Sequence, residues 1–261
     1  MAYLDRDGVR IFYEATGSGP TVLLSHGYSG TGHMWQGQVA ALADRYQVVV
    51  WDIRGHGRSD SPTDPACYTE AHTLADMQAI LDAVGAQTAV IGGLSLGGYL
   101  SLAFHVKHPE RVHSLMLFDT GPGFRKAEGR EGWNEMARGR ARYFRRRGID
   151  SLEGQFEAHG GLHRSAEGLA LAAEGILPQA DSTVIDSLPG ISVPTLVLVG
   201  ADDKAFLGAT DYMASRIPGA VKVILEGAGH VANIDQPERF NQAVGRFLEG
   251  VFPAGASRPA D

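Results

Sequence analysis

Cysteine is nearly absent from this chain: Cys67 stands alone among 261 residues. That excludes an intrachain disulfide and a thiolate zinc cluster. Cys67 lies in the loop Ser61-Pro62-Thr63-Asp64-Pro65-Ala66-Cys67, with none of the context of a nucleophile. Positive charge is also scarce, 23 Lys and Arg against 30 Asp and Glu, for a formal net charge of −7. Such a balance argues against nucleic acid or an anionic membrane as a main partner. No apolar run is long enough to span a bilayer, and the start, Met1-Ala2-Tyr3-Leu4-Asp5-Arg6-Asp7, lacks the apolar core of a signal peptide. The expected location is therefore the cytoplasm. No Pro/Ser-rich linker divides the chain, which points to one large α/β domain, and 44% hydrophobic residues are enough to build its core.

What is present is an alternation of strand and helix signals. Tyr3 to Asp5 and Val9 to Tyr13 flank Asp7-Gly8, a two-residue hairpin signal. Thr21-Val22-Leu23-Leu24-Ser25, Gln47 to Asp52, Thr88 to Gly92, Val112 to Phe118, Pro194 to Gly200 and Val221 to Leu225 are short apolar runs of the kind found in parallel sheets. Helical spacing is expected from about Met34 to Ala43, from Thr73 to Val84 behind a Thr cap, and from Tyr99 to His108 before Pro109. From Phe124 to about Leu188 no strand is legible, and the patches Trp133 to Arg147 and Glu167 to Ile176 are helical. This segment is expected to be an insertion over the sheet's active edge, a cap of residues 124–188 on a core of residues 1–123 and 189–252. Residues from Pro253 onward read as a loose tail, 253–261.

The most informative stretch is Gly93-Leu94-Ser95-Leu96-Gly97-Gly98, a glycine turn carrying one serine between a strand and a helix. Alone it is also compatible with an ordinary glycine-rich connection. A serine forced through so sharp a turn has a strained backbone and crowds the residues two before and two after it, so Gly93 and Gly97 lack side chains. Ser95 is then an exposed nucleophile, and the Leu96 N–H at the helix N-terminus is a donor for developing negative charge. The loop His26-Gly27-Tyr28-Ser29-Gly30, leaving another strand, supplies a second candidate donor in the Tyr28 N–H. A turn-stabilising role for His26 outweighs a catalytic one.

Further on, Asp202-Asp203 follows one strand and His230 follows the last, so the chain order is Ser, acid, His. Three competing signals have simpler readings. Asp52 and Arg54 in Ile53-Arg54-Gly55-His56-Gly57-Arg58-Ser59-Asp60 are expected to bond the loop's own backbone. Arg138, Arg140, Arg142, Arg145, Arg146 and Arg147 are expected to form a solvated helix face balanced by Glu128, Glu131 and Glu135, rather than a clamp for an anionic substrate. His159 and His163 have metal-ligand spacing, but the intervening Gly160-Gly161 and the lack of a third ligand discount a metal. Neither metal nor cofactor is expected.

On these segments the sequence resembles the α/β-hydrolases with a serine nucleophile. The likeness rests on His26-Gly27, on Asp52 through Ser59, on Gly93 through Gly98, on Gly200-Ala201-Asp202-Asp203 and on Gly229-His230. It spans both ends and the centre and omits the helical insertion and the tail. It implies an α/β-hydrolase fold: a mostly parallel eight-stranded sheet flanked by helices, with a small helical cap. It also implies a catalytic set of Ser95, His230 and Asp203, preferred over Asp202 by family spacing with Asp119 a distant third, and an oxyanion hole at Tyr28 and Leu96. His26, Gly27, Trp133 and Val231 are candidates for the pocket wall. Dehalogenases and epoxide hydrolases of similar fold carry Asp at the turn, so Ser95 implies acyl chemistry. The elbow and small cap are similar to those of 3-oxoadipate enol-lactonases and carboxylesterases. The expected substrate is a small carboxylic ester or lactone. C–C hydrolysis of ring-cleavage products, perhydrolase or haloperoxidase-like chemistry, and a ligand receptor derived from the fold are the alternatives.

Overall fold

In the computed structural model, residues 2–152 and 162–253 are described. The chain opens with strands β1 (Ala2–Arg6) and β2 (Val9–Thr16), paired antiparallel with Arg6 opposite Val9. Asp7 and Gly8 both have positive φ, 56° and 80°, the two left-handed residues that a tight hairpin of this kind requires. Then follow β3 (Thr21–Ser25), a 3₁₀ turn at Gly32–Trp35, α1 (Gln36–Leu42), β4 (Gln47–Trp51), α2 (Glu70–Ala83), β5 (Ala89–Leu94), α3 (Leu96–Lys107) and β6 (Val112–Phe118). Helices α4 (Ala127–Arg147), α5 (Ala166–Gly175) and α6 (Thr183–Ser187) come next. The chain then returns to β7 (Thr195–Gly200), α7 (Leu207–Arg216), β8 (Val221–Leu225), α8 (Ala232–Asp235) and α9 (Pro237–Val251).

The eight strands form one sheet in the order β1-β2-β4-β3-β5-β6-β7-β8. β2 runs antiparallel to both neighbours, and the remaining pairs are parallel. Side chains alternate between faces, so the central strands feed two cores. Leu23, Val49, Ile91, Leu115, Leu117 and Val197 pack on one side, and Val22, Leu24, Val48, Val50, Val90, Met116 and Leu198 on the other. Burial on both faces explains why these strands are continuous apolar runs. β8 differs: it is one edge of the sheet, with Val221 and Ile224 exposed.

Three expectations are corrected. The helix expected from Thr73 begins a turn earlier at Glu70, because Thr69 is the cap: its Oγ1 accepts the His72 N–H at 3.1 Å. The helix expected from Met34 starts at Gln36, behind the 3₁₀ turn. Arg54 bonds the backbone of its own connection only through Nη1 to Cys67 O at 3.4 Å. It reaches α2, where its Nε and Nη2 donate to Asp76 at 2.5 and 2.8 Å, both side chains almost wholly buried. His159 and the residues after Pro253 lie outside the described residues. Among the described residues no helix is long and apolar enough to cross a membrane.

A buried ion pair is costly to break from one side, since the surviving charge stays out of water. Asp76→Leu is expected to lower stability by about 3–5 kcal/mol in urea unfolding. The double variant Arg54→Met/Asp76→Leu is expected to recover most of it. A single variant within 1 kcal/mol of the parent would contradict the assignment.

Candidate active site

Ser95 follows β5 and precedes α3 with φ 56° and ψ −115°, a backbone conformation that costs a non-glycine residue on the order of 1–3 kcal/mol. The surrounding bonds hold it there. Its N–H donates to Phe118 O at 2.9 Å, and its carbonyl accepts from the Tyr99 N–H at 3.1 Å and the Thr120 hydroxyl at 2.6 Å. The glycines are a packing requirement. A Cβ on Gly93 would sit 2.5 Å from the Gly97 carbonyl carbon, and one on Gly98 2.5 Å from Thr120 Cγ2. One on Gly97 would overlap the carbonyl of Ser25 at the end of β3.

The loop after β3 comes in beside this turn. A Cβ built on Gly27 would be 3.4 Å from Ser95 Cβ, so the Tyr28 backbone follows directly past the serine. His26 shapes that loop from behind. The Ile53 N–H donates to its Nε2 at 2.9 Å, which puts the proton on Nδ1, and Nδ1 donates to Gly27 O at 2.7 Å. Complete burial pushes its pKa down to about 4, so the ring is neutral. Asp52, at the end of β4, accepts the N–H groups of Gly32 and Arg58 at 2.7 and 2.8 Å and ties the next loop down.

Asp203 lies after β7 and His230 after β8, with Asp203 Oδ2 2.7 Å from His230 Nδ1. Asp203 is 7% exposed, whereas the Asp202 side chain is open to solvent beside Lys204. The Phe206 ring stacks on the imidazole at 5.2 Å and 21°. Asp119, after β6, is wholly buried, and its Oδ1 accepts the Gly200 N–H at 2.8 Å, which joins the ends of β6 and β7. Burial pushes its carboxyl up to about 8, against the pull of the Gly200 N–H and of nearby His230.

Ser95, His230, Leu96 and the Gly27–Gly30 loop open onto one cavity of about 640 Å³. Of the residues expected in its wall, Gly27, Trp133 and Val231 line it, and His26 does not. The correction has a simple cause: both His26 nitrogens are consumed within the loop. Tyr99, Phe124, Gln179, Phe206 and Tyr212 also line the cavity; Phe206 and Tyr212 share the start and one face of α7, and the others come from separate elements, so the sequence does not bring them together. His163, whose spacing from His159 resembles that of metal ligands, braces loops instead. Its Nδ1 accepts the Gly57 N–H at 3.1 Å and its Nε2 donates to Ser29 O at 2.9 Å, binding the helical segment to two core loops.

This layout of strands and loops has known counterparts. A sequence model of the alpha/beta hydrolase fold matches residues 20–165, more than half of the chain. The chain belongs to the α/β-hydrolase fold family. Within that family it is similar to a malate-bound esterase from Thermogutta terrifontis, with 32% identity, a TM-score of 0.79, and 95% of this chain and 97% of that one covered. It is 28% identical to the enol-lactonase from Burkholderia xenovorans LB400, with a TM-score of 0.76 and coverage of 95% and 99%. A 3-oxoadipate enol-lactonase of Acinetobacter baylyi is 29% identical over 238 residues, 86% of this chain and 87% of that protein.

The Asp119 carboxyl yields a pH prediction. Its folded pKa, about 8, is above the ordinary carboxylate value. The native state therefore holds a proton that the unfolded chain has released, and stability falls as pH rises from about 4 through about 8. Asp119→Asn keeps an acceptor for Gly200 and removes the ionisation. Its melting temperature is expected to gain on the parent's steadily between pH 5 and 8. Parallel profiles would contradict the assignment.

Proposed function

We propose that this chain is a serine hydrolase that cleaves a small carboxylic ester or lactone through an acyl-enzyme. The observation that carries the reading is the 2.7 Å contact of Asp203 with His230 Nδ1, at a cavity that also receives the strained Ser95. Asp203 accepts the Nδ1–H and so leaves Nε2 as the base. His230 takes the Ser95 proton as Oγ adds to the substrate carbonyl. The carbonyl oxygen becomes an oxyanion between the N–H groups of Tyr28 and Leu96, each worth about 3 kcal/mol in the barrier. Collapse breaks the C–O bond, and His230 returns its proton to the departing alkoxide. In a lactone that alkoxide remains tethered to the acyl group. Water then attacks the Ser95 ester by the same steps in reverse and frees the acid.

The esterase and enol-lactonase relatives favour ester and lactone bonds over the other chemistries open to this fold. The cavity agrees with a small substrate: its wall is mostly apolar, with Leu94, Trp133, Met136, Leu177, Ile185 and Phe206 in it.

Asp203→Asn forces the ring toward the wrong tautomer and is expected to lower kcat for p-nitrophenyl butyrate by about 10⁴-fold. Asp202→Asn, at a solvent-exposed side chain, is expected to stay within about threefold of the parent. Equal losses in the two variants would contradict the role given to Asp203.

A further inference from the structure

The connection after β6 bears on each part of the candidate site. Phe118 O accepts the Ser95 N–H at 2.9 Å, and the Thr120 hydroxyl donates to Ser95 O at 2.6 Å. Asp119, between them, has φ 45°, a left-handed backbone that a non-glycine residue keeps only where its surroundings hold it there. Its N–H donates to Leu198 O at 2.9 Å, and its Oδ1 accepts the Gly200 N–H at 2.8 Å, three residues before Asp203. The carboxyl is wholly buried and within electrostatic reach of both Asp203 and His230.

Bracing alone does not call for an acid. An asparagine carbonyl would accept the Gly200 N–H equally well. The second oxygen, Oδ2, is buried with no hydrogen-bond partner among the described residues. The Ala232 N–H, two residues past His230, favours the ionised form without coming within hydrogen-bonding distance of Oδ2. An orphaned oxygen on a buried acid is a cost that folding does not explain, and such costs collect where a group has chemistry to do. The titratable groups acting on Asp119 are Asp203, from the turn after β7, which opposes its ionisation, and His230, from the loop after β8, which favours it. Burial keeps the carboxyl neutral up to about pH 8. Below that pH the imidazole has one carboxylate beside it, Asp203, and above it a second.

We propose that Asp119 is a positioning residue that acts through His230, its protonation state setting how readily the imidazole takes up a proton. The reading rests on the hydrolase function and on Asp203 as the acid that orients the ring. When Asp119 releases its proton to solvent, a second negative charge stands near the imidazolium that forms as His230 takes the Ser95 proton, and the barrier falls. The coupling is reciprocal, so the two groups titrate as a pair. Asp119 lies outside the cavity wall and touches no substrate.

Two measurements test this. The first is the pH profile of kcat for p-nitrophenyl butyrate. The parent is expected to rise once as His230 loses its proton and again, about three- to tenfold, between about pH 7 and 9, a gain that corresponds to up to one unit of imidazole basicity. Asp119→Asn keeps the Gly200 contact and is expected to show the first rise alone. A single rise in the parent overturns the proposal. A second rise that survives in Asp119→Asn, with activity lowered uniformly at every pH, also overturns it, because that is the signature of a brace. The second measurement follows the His230 ring nitrogens by NMR in Ser95→Ala protein carrying carboxyl-labelled aspartate. Their shifts are expected to inflect a second time above pH 7, at the midpoint of one aspartate carboxyl carbon, and the inflection is expected to vanish in Asp119→Asn. No second inflection overturns the proposal, and this arm needs no Asp119 variant to fold. If the parent cleaves no ester, the hydrolase reading fails, and the NMR arm still decides whether Asp119 acts on His230.

Discussion

The turn after β5 presses its backbone against the end of β3, and the candidate site depends on that contact. Gly97 lies so near the Ser25 carbonyl that no side chain fits, and Gly93 is paired in register with Ser25 across the parallel sheet. With these strands pressed together, Ser95 stands out from the sheet at positive φ, and the first amide of α3 follows it. Gly27, in the loop that leaves β3, comes against Ser95 for the same reason. Both candidate donors and the candidate nucleophile are thus fixed by one backbone contact, and the strain at Ser95 is offset by the hydrogen bonds of Phe118 and Thr120.

Around this contact the loops are braced by buried polar groups, each with its partner. His26, Asp52 and His163 bond to backbone of the connection after β3 or the loop after β4. Asp119 joins two strand ends beneath His230. These residues touch no part of the cavity, yet they set where its walls stand. Burial lowers the pKa of His26, His56 and His163, so the bracing rings are neutral and none competes with the imidazole facing the cavity.

Much of this was legible in the residues. The parallel strands declared themselves because burial on both faces demands continuous apolar runs, and Asp7-Gly8 marked its hairpin because its backbone geometry admits few residue types. Gly93 to Gly98 carried its own mechanism. What escaped was tertiary. Arg54 looked like a loop residue because its partner, Asp76, lies on a helix it meets only after folding. His163 looked like half of a metal pair because spacing says nothing about Ser29 and Gly57. The arginines of α4 formed one charge run in the sequence, and only the helix's orientation separates Arg140 from those already paired with glutamates. Helix faces such as Trp133, Met136 and Arg140 are periodic, but the spacing does not say that they meet a cavity whose wall is drawn from many elements.

The central claim is that Ser95 is a nucleophile that forms a covalent acyl intermediate. A fluorophosphonate reacts with such a serine and remains attached, so mass spectrometry of the digested adduct tests it most directly. The account predicts one adduct per chain, on the peptide containing Ser95, with loss of esterase activity in proportion to labelling. Labelling elsewhere, or full activity retained on an unlabelled Ser95, would contradict it.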